Sequence, residues 1–218
     1  MTPQTEIRNP KSEIRNRRFL PALAFLPAGC NLLSQRPFTP TRYYALDPPA
    51  PAARPDARPA DLVLAVRTLD AESRYRDRIY FRKTGAVAGY HDFDRWVQTP
   101  GESLSGILRR SLEAAGIARA VVEDRLVRRP DVTLDGRVTR FDEVHGDAGW
   151  AAECEIEIVL KDADASVLLL SARIASRHEA KAKTTAAFVE AMTAAVAEVA
   201  SKATGAVAQA LAARKPAK

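Results

Sequence analysis

Between Trp150 and Leu160 the sequence alternates. Trp150, Ala152, Cys154, Ile156, Ile158 and Leu160 fall on one face, and Glu153, Glu155 and Glu157 fall on the other. Successive side chains of a strand point to opposite faces, so a period of two describes a strand covered on its apolar side and open on its polar side. Such a strand belongs to a sheet layered on one side only. The C-terminal segment supplies the cover. From about Thr184 to Leu211 alanine dominates, and Phe188, Met192, Val196, Val199, Ala203, Val207 and Ala210 recur at helical spacing. The small residues in that stripe let the helix axis come close to a sheet.

The other elements fit the same plan. Arg42 to Asp47 is strand-like, and the prolines from Pro48 to Pro55, with Pro59, make an extended loop. Asp61 to Leu69 predicts a buried strand with Leu62, Leu64 and Val66 on one face. Arg78 to Arg82 and Ala86 to His91 predict a hairpin turning at Lys83-Thr84-Gly85. Thr99-Pro100-Gly101-Glu102 marks a helix start, with a capping hydroxyl, proline at the first helical position and glutamate at the third. Leu104, Ile107, Leu108, Leu112 and Ala115 continue it, and Gly116 ends it in the left-handed conformation. Ala118 to Glu123 and Val132 to Phe141 predict two further strands, with Asp135-Gly136 a bulge or bend in the second. Val167 to Ser176 pairs back on the Trp150 strand across the acidic turn Asp162-Ala163-Asp164. The sum is an α+β domain over residues 42–213. It is a mixed, largely antiparallel sheet with two main helices packed on it, a two-layer sandwich. Residues 214–218 are a loose polar tail.

Ahead of that domain stands a leader. Arg15, Arg17 and Arg18 precede the apolar run from Phe19 to Leu26, and Ala28-Gly29 stand directly before Cys30. A basic segment, a short apolar core and small residues at the cut describe a secretory signal over residues 1–29. The near-repeat Glu6-Ile7-Arg8-Asn9 and Glu13-Ile14-Arg15-Asn16 makes the first dozen residues read as an over-extended start. The pair before Cys30 resembles a lipobox, although Pro27 stands where leucine is usual. The thiol would carry a diacylglyceryl group as a thioether, with an N-acyl chain such as palmitate on the new amino terminus. No other cofactor is expected. One acyl chain alone binds membranes marginally, and two or more hold firmly. Residues 30–41 then form a lipidated tether. Asn31, rather than aspartate, after the cysteine leans towards the outer membrane. The leader holds five basic and two acidic residues, so cleavage removes about half of the net charge of +6.

Taken in order, several stretches resemble the ABC-type transport auxiliary lipoproteins, accessory proteins of lipid-transport systems built around mammalian-cell-entry (MCE) domains. They are Cys30 with its tether, Arg42-Tyr43-Tyr44-Ala45-Leu46, and Asp77-Arg78-Ile79-Tyr80-Phe81-Arg82. Tyr90, Arg95-Trp96 running into the first helix, Leu134-Asp135-Gly136-Arg137-Val138 and the long alanine-rich helix follow. The resemblance implies a periplasm-facing domain tethered to the outer membrane. It would serve an MCE-domain protein, an ABC permease and an ATPase as a docking or scaffold part, and would be able to form homo-oligomers. Two rivals remain, a periplasmic lipoprotein of outer-membrane assembly or cell-wall binding, and an envelope hydrolase.

The residues offer little for catalysis. His91, His145 and His178 are far apart, and no Cys-x-x-Cys or His-x-x-x-His spacing is present for zinc. No nucleophile elbow or phosphate-binding loop occurs. Cys154, on an apolar strand face, reads as a core residue. No catalytic or metal-ligating residue is therefore named. The row Glu153, Glu155, Glu157 reads as a solvated face, or as a contact for a basic partner. Arg74 to Arg78 and Arg125 to Arg129 are basic but interleaved with acids and attached to no nucleic-acid module, so nucleic acid is not expected as a partner. The candidate partner-contact residues are Arg42, Tyr43, Tyr44, Tyr80, Arg95 and Trp96, since aromatics and arginine are enriched at interface hot spots.

Overall fold

The computed structural model describes residues 38–49, 59–162 and 167–214. Among them nine strands form one sheet. The centre of the sheet is β7 (Val132–His145). On one side it pairs antiparallel with β8 (Trp150–Asp162), and β8 pairs antiparallel with β9 (Leu168–Glu179). On the other side β7 is long enough to take three strands end to end, all parallel to it. These are β2 (Ala60–Val66) at its start, β3 (Asp70–Ala71) in its middle and β4 (Arg78–Lys83) at its end. Beyond β2 lies β6 (Ala118–Glu123), parallel. Beyond β4 lies β5 (Ala88–Trp96), antiparallel, and then β1 (Arg42–Tyr44), parallel to β5. The sheet is mixed, as expected, with the long antiparallel ladder β7-β8-β9 at its heart and the short strands joining in parallel.

Helices α1 (Pro100–Ala114) and α2 (Thr185–Ala213) cover one face. The apolar stripe of α2 sets its orientation. Phe188, Met192, Val196, Val199, Ala203 and Val207 are fully buried, while Ala210 is only half-buried and Leu211 closes the stripe instead. The strands answer with Leu64 and Val66, Leu134 and Val138, and Ile156, Ile158 and Leu160. Cys154 belongs to the same core. Burial pushes its thiol pKa far up, which makes it inert.

The start of α1 is built as its sequence predicts. The Thr99 hydroxyl accepts from the Glu102 N–H, and the Glu102 carboxylate accepts from the Thr99 N–H at 3.0 Å. Replacing Thr99 with alanine is expected to lower unfolding free energy by about 0.5–2 kcal/mol, read from a denaturant midpoint. A change within error would show that tertiary packing holds this end without the cap. Gly116 has φ of 60° and closes the helix in the left-handed region.

One expectation is corrected. The β7-β8 ladder runs in register through Asp135-Gly136 and shifts only between Val138 and Arg140. The bulge is therefore at Thr139, whose hydroxyl donates to the Glu155 carboxylate at 2.8 Å. Gly136 serves close approach instead. A Cβ there would lie 2.3 Å from the Glu157 carbonyl oxygen and 3.0 Å from Leu69 Cδ2. The signal, Cys30, most of the tether, the proline-rich loop, the Ala163-Asp164 turn and the tail fall wholly or mainly outside the described residues.

Candidate functional site: a clamped first strand and a tyrosine–arginine face

Strand β1 is only three residues long, and a three-residue edge strand has few bonds of its own. A charged clamp compensates. Asp94 of β5, with 4% of its side chain exposed, accepts from Arg42 Nε at 2.7 Å and Arg42 Nη2 at 3.0 Å. It also accepts from the Thr185 hydroxyl, in the first turn of α2, at 3.0 Å. The bidentate fork is the strong geometry for an arginine–carboxylate pair. The Val97 N–H donates to the Tyr44 carbonyl at 2.9 Å, continuing the pairing past the strand end. Burial alone would raise the Asp94 pKa, but Arg42, His91 and Thr185 together hold it below the usual carboxylate value.

The clamp extends into the core. His91 Nδ1 lies 3.1 Å from Asp94 Oδ2, and His91 Nε2 lies 3.0 Å from Glu143 Oε2. Glu143 is wholly buried, and its other oxygen meets His145 Nε2. The Nε2–Glu143 contact is at ion-pair distance without the alignment of a hydrogen bond, so Glu143 acts on the ring through its charge, and a carboxylate on each side favours the protonated imidazole. Burial by itself lowers the His91 pKa, and the two carboxylates reverse this, Glu143 foremost, leaving it above the ordinary value. Phe81 meets His91 edge-on and stacks on His145, which stacks on Trp150 at 4.1 Å. These rings screen the charges from water. The register shift in β5 between the partners of Arg78 and Tyr80 creates this arrangement by turning both His91 and Asp94 inward.

The outer, helix-free face carries a different set. Register places Tyr43 opposite Arg95, and Arg95 opposite Arg78. In the next row Tyr80 faces Tyr90, with ring centroids 5.5 Å apart, and Tyr75 adds a third ring at 5.7 Å from Tyr80. The Arg78 guanidinium lies 5.0 Å from the Tyr90 ring centre, and that of Arg74 lies 5.1 Å from Tyr75 and 5.8 Å from Tyr80. Tyr75 is buried and donates its hydroxyl to the buried Asp142 at 2.6 Å.

The six sequence-derived contact residues therefore divide by strand parity. Tyr43, Tyr80 and Arg95 belong to the outer face. Trp96 is core, packed edge-on against Phe141 at 5.3 Å, and Tyr44 packs against that core. Arg42 is committed to Asp94. Sequence reading missed the roles of Glu143 and Asp94. Their only signal was an acid in each of two otherwise inward-facing rows, and a bulge hides that parity. The acidic row on β8 lies on the outer face but is answered by arginines of this chain. Glu153 pairs with Arg82, Arg140 and Arg177, and Glu155 and Glu157 pair with Arg173. It is a cross-strand ion-pair ladder. Burial would raise the Glu153 pKa, and Arg177 and Arg82 keep it lowered. A polar groove beside α1 holds Arg109, Arg110 and Arg125, of which Arg109 is paired to Glu113 and Arg125 to Glu123. Among the described residues no group of histidine, cysteine, aspartate or glutamate side chains has the geometry to hold a metal ion, and no helix is long and apolar enough to cross a membrane.

Solved structures of similar shape exist. The crystal structure of protein XCC0632 from Xanthomonas campestris superposes with a TM-score of 0.70 at 20% identity, covering 78% of this chain and 96% of that one. A crystal structure of an uncharacterized protein gives 0.58 at 15% identity, covering 78% and 98%. These likenesses support the fold alone. No curated protein matches. The family model for the ABC-type transport auxiliary lipoprotein component matches residues 44–203, from the end of β1 well into α2. The chain belongs to that family, a family of envelope-associated lipoproteins that accompany ABC-type transport systems.

Proposed function

We propose that this protein is a docking and scaffold component, lipid-anchored through Cys30 at the outer membrane and facing the periplasm. In this reading it serves an ABC-type system that moves lipids, with an MCE-domain protein as its partner beside the permease and the ATPase, and it catalyses no reaction itself. Family membership supports the transport setting. The clamp on β1 is the observation that carries the anchored reading. The chain enters the domain at Arg42, twelve residues after Cys30, and that first strand is fastened to β5, α2 and the core by Arg42, Asp94, Thr185, His91 and Glu143. A tether that holds a domain at a membrane pulls on its first strand. A bidentate charged pair whose acid is buried resists that pull better than three residues of edge pairing.

The test is the intact mass of protein extracted from membranes, followed by crosslinking in cells. A chain beginning at Cys30 with acyl groups attached, crosslinked to an MCE-domain protein, is the expected result. Cys30→Ala is expected to release a folded domain from membranes. An unlipidated mass, or a Cys30→Ala protein still membrane-bound in high salt, would remove the anchor. Crosslinks only to outer-membrane assembly or cell-wall components would replace the partner.

A further inference from the structure

The large apolar side chains that the domain leaves exposed are not scattered. Beyond Thr39, Tyr43, Val87, Tyr90, Phe93 and Val97 all lie on or directly beside β1 and β5. The others are Leu126, just after β6 at the far end of the strand order, and Val167 and Leu168 at the start of β9. At the β1-β5-β4 corner the exposed rings are Tyr43, Tyr90 and Phe93, with the half-buried Tyr80 against Tyr90, and the tyrosines are set among arginines on the face that no helix covers. Tyr43 is 67% exposed. Tyrosine combines an apolar ring with a hydroxyl and settles where hydrocarbon gives way to water. Arginine offers a planar fork that matches phosphate.

The partners of these arginines mark the limits of the surface. Arg78 reaches Asp92 at 3.4 Å and Arg95 reaches Asp77 at 3.5 Å, and both acids are well exposed. Main-chain carbonyls hold both guanidiniums in place, Arg78 donating to the His91 carbonyl at 3.1 Å and Arg95 to the His91 and Asp94 carbonyls at 3.0 and 3.1 Å. An incoming anion can displace Asp92 or Asp77 from these fixed groups without stranding a buried carboxylate, because exposed pairs of this length hold weakly. Arg82, one step along the same face, is different. It serves the buried Asp142 and the mostly buried Glu153, which an incoming anion would strand. The position of the tether narrows the choice of partner. Twelve peptide steps from Cys30 to Arg42 span at most about 40 Å when extended, and they end on the strand that carries Tyr43.

We propose that the outer face of the β1-β5-β4 corner, built on Tyr43, Arg95, Arg78, Tyr80 and Tyr90, is the surface this protein lays against the anionic phospholipid headgroups of the membrane that holds its anchor. The inference rests on the lipid anchor at Cys30. Tyrosine rings seat at the headgroup level, the arginines take phosphates, and the helix layer faces away from the bilayer. The charge-ladder region of β8 and β9 lies outside the contact.

The test uses the mature lipidated protein reconstituted in vesicles of phosphatidylethanolamine and phosphatidylglycerol. Cys154 is 1% exposed and an acylated Cys30 has no free thiol, so an introduced cysteine is the one site for an environment-sensitive dye. Tyr43→Cys probes the corner and Leu126→Cys the far edge. The expected result is blue-shifted emission from position 43, quenched by spin-labelled lipid and lost when phosphatidylcholine replaces the anionic vesicles. Position 126 should stay water-like throughout. Water-like emission from position 43 in protein that floats with the vesicles overturns the contact and leaves the anchor standing. Blue-shifted emission that spin-labelled lipid does not quench also overturns it, since the corner would then be buried against protein. Failure to float, with dye incorporated at Cys30 of the unsubstituted protein, removes the anchor and the contact together.

Discussion

His91→Leu is expected to lower the unfolding free energy by about 3–5 kcal/mol, the usual cost of removing one partner of a buried ion pair. Glu143 has no exposed surface, and without His91 its carboxylate keeps only His145 as a side-chain partner among the described residues. The loss is therefore dominated by an uncompensated buried charge, not by the missing imidazole contacts. Replacing both His91 and Glu143 with leucine should recover most of the stability, because removing both charges removes the desolvation cost. A urea midpoint series on the single and double variants measures this. A single variant costing under about 1 kcal/mol, the range of exposed pairs, would mean that His91 and Glu143 do not act as a buried ion pair.

The same network sets a pH dependence. The groups facing His91 are Asp94 on its own strand, Glu143 on β7 and the Phe81 ring on β4. Arg42 and Thr185 act on it through Asp94, and His145 acts through Glu143. The folded pKa of His91 is raised above its unfolded value. Its contribution is therefore fully present below about pH 6.5 and is lost as pH rises through the folded pKa. Thermal stability should fall with rising pH over that window, and the fall should vanish in His91→Leu. The carboxylates have the opposite sign. Asp94 and Glu153 are lowered, and Glu198 is lowered to about 2 by Lys202, Ser176 and His178. What they contribute is lost as pH falls through their folded values.

Phe188→Ala is expected to cost about 3–5 kcal/mol, as large-to-small changes of buried aromatics do. Phe188 is fully buried in the first turns of α2, with its ring centre 6.0 Å from Trp96, and Trp96 in turn packs edge-on against Phe141 of β7. The three rings join helix α2, strand β5 and the central strand, so truncation leaves a cavity where the layers meet. The urea midpoint should drop with little change in slope. Tyr43→Ala, on the outer face, should move the midpoint by no more than about 0.5 kcal/mol. If Phe188→Ala behaved like Tyr43→Ala, the N-terminal half of α2 would not be packed on the sheet.

Much of this architecture was legible from period alone. The alternation in β8, the stripe of α2, the capping box at Thr99 and the left-handed Gly116 are local features, and each was found where its residues predicted it. The irregularities were not legible. Asp135-Gly136 has the composition of a bulge, yet the ladder passes through it, because Gly136 is required by the Glu157 backbone and Leu69 from elsewhere in the chain. The bulge falls at Thr139, where threonine gives no sign of one. The displaced register in β5 was equally silent in sequence, and it hid the buried cluster by turning His91 and Asp94 inward.

By itself the sequence determined the class of this protein. A covered strand face and an alanine-rich stripe make a two-layer α+β domain, and ordered stretches from β1 to α2 carry the family. Hydrophobic periodicity and helix caps act over a few residues, so they can be read without knowing the neighbours. Tertiary structure alone decided which charges are paired and which aromatics are exposed. Arg42 and Tyr43 are adjacent in sequence and end on opposite faces of the sheet, one clamped to a buried aspartate and one exposed. Glu153 and Glu143 are both glutamates on central strands, one in an arginine ladder and one wholly enclosed beside two histidines. Electrostatic energy and burial depend on what distant segments bring within a few ångströms, and that is settled only when the sheet has closed under its helices.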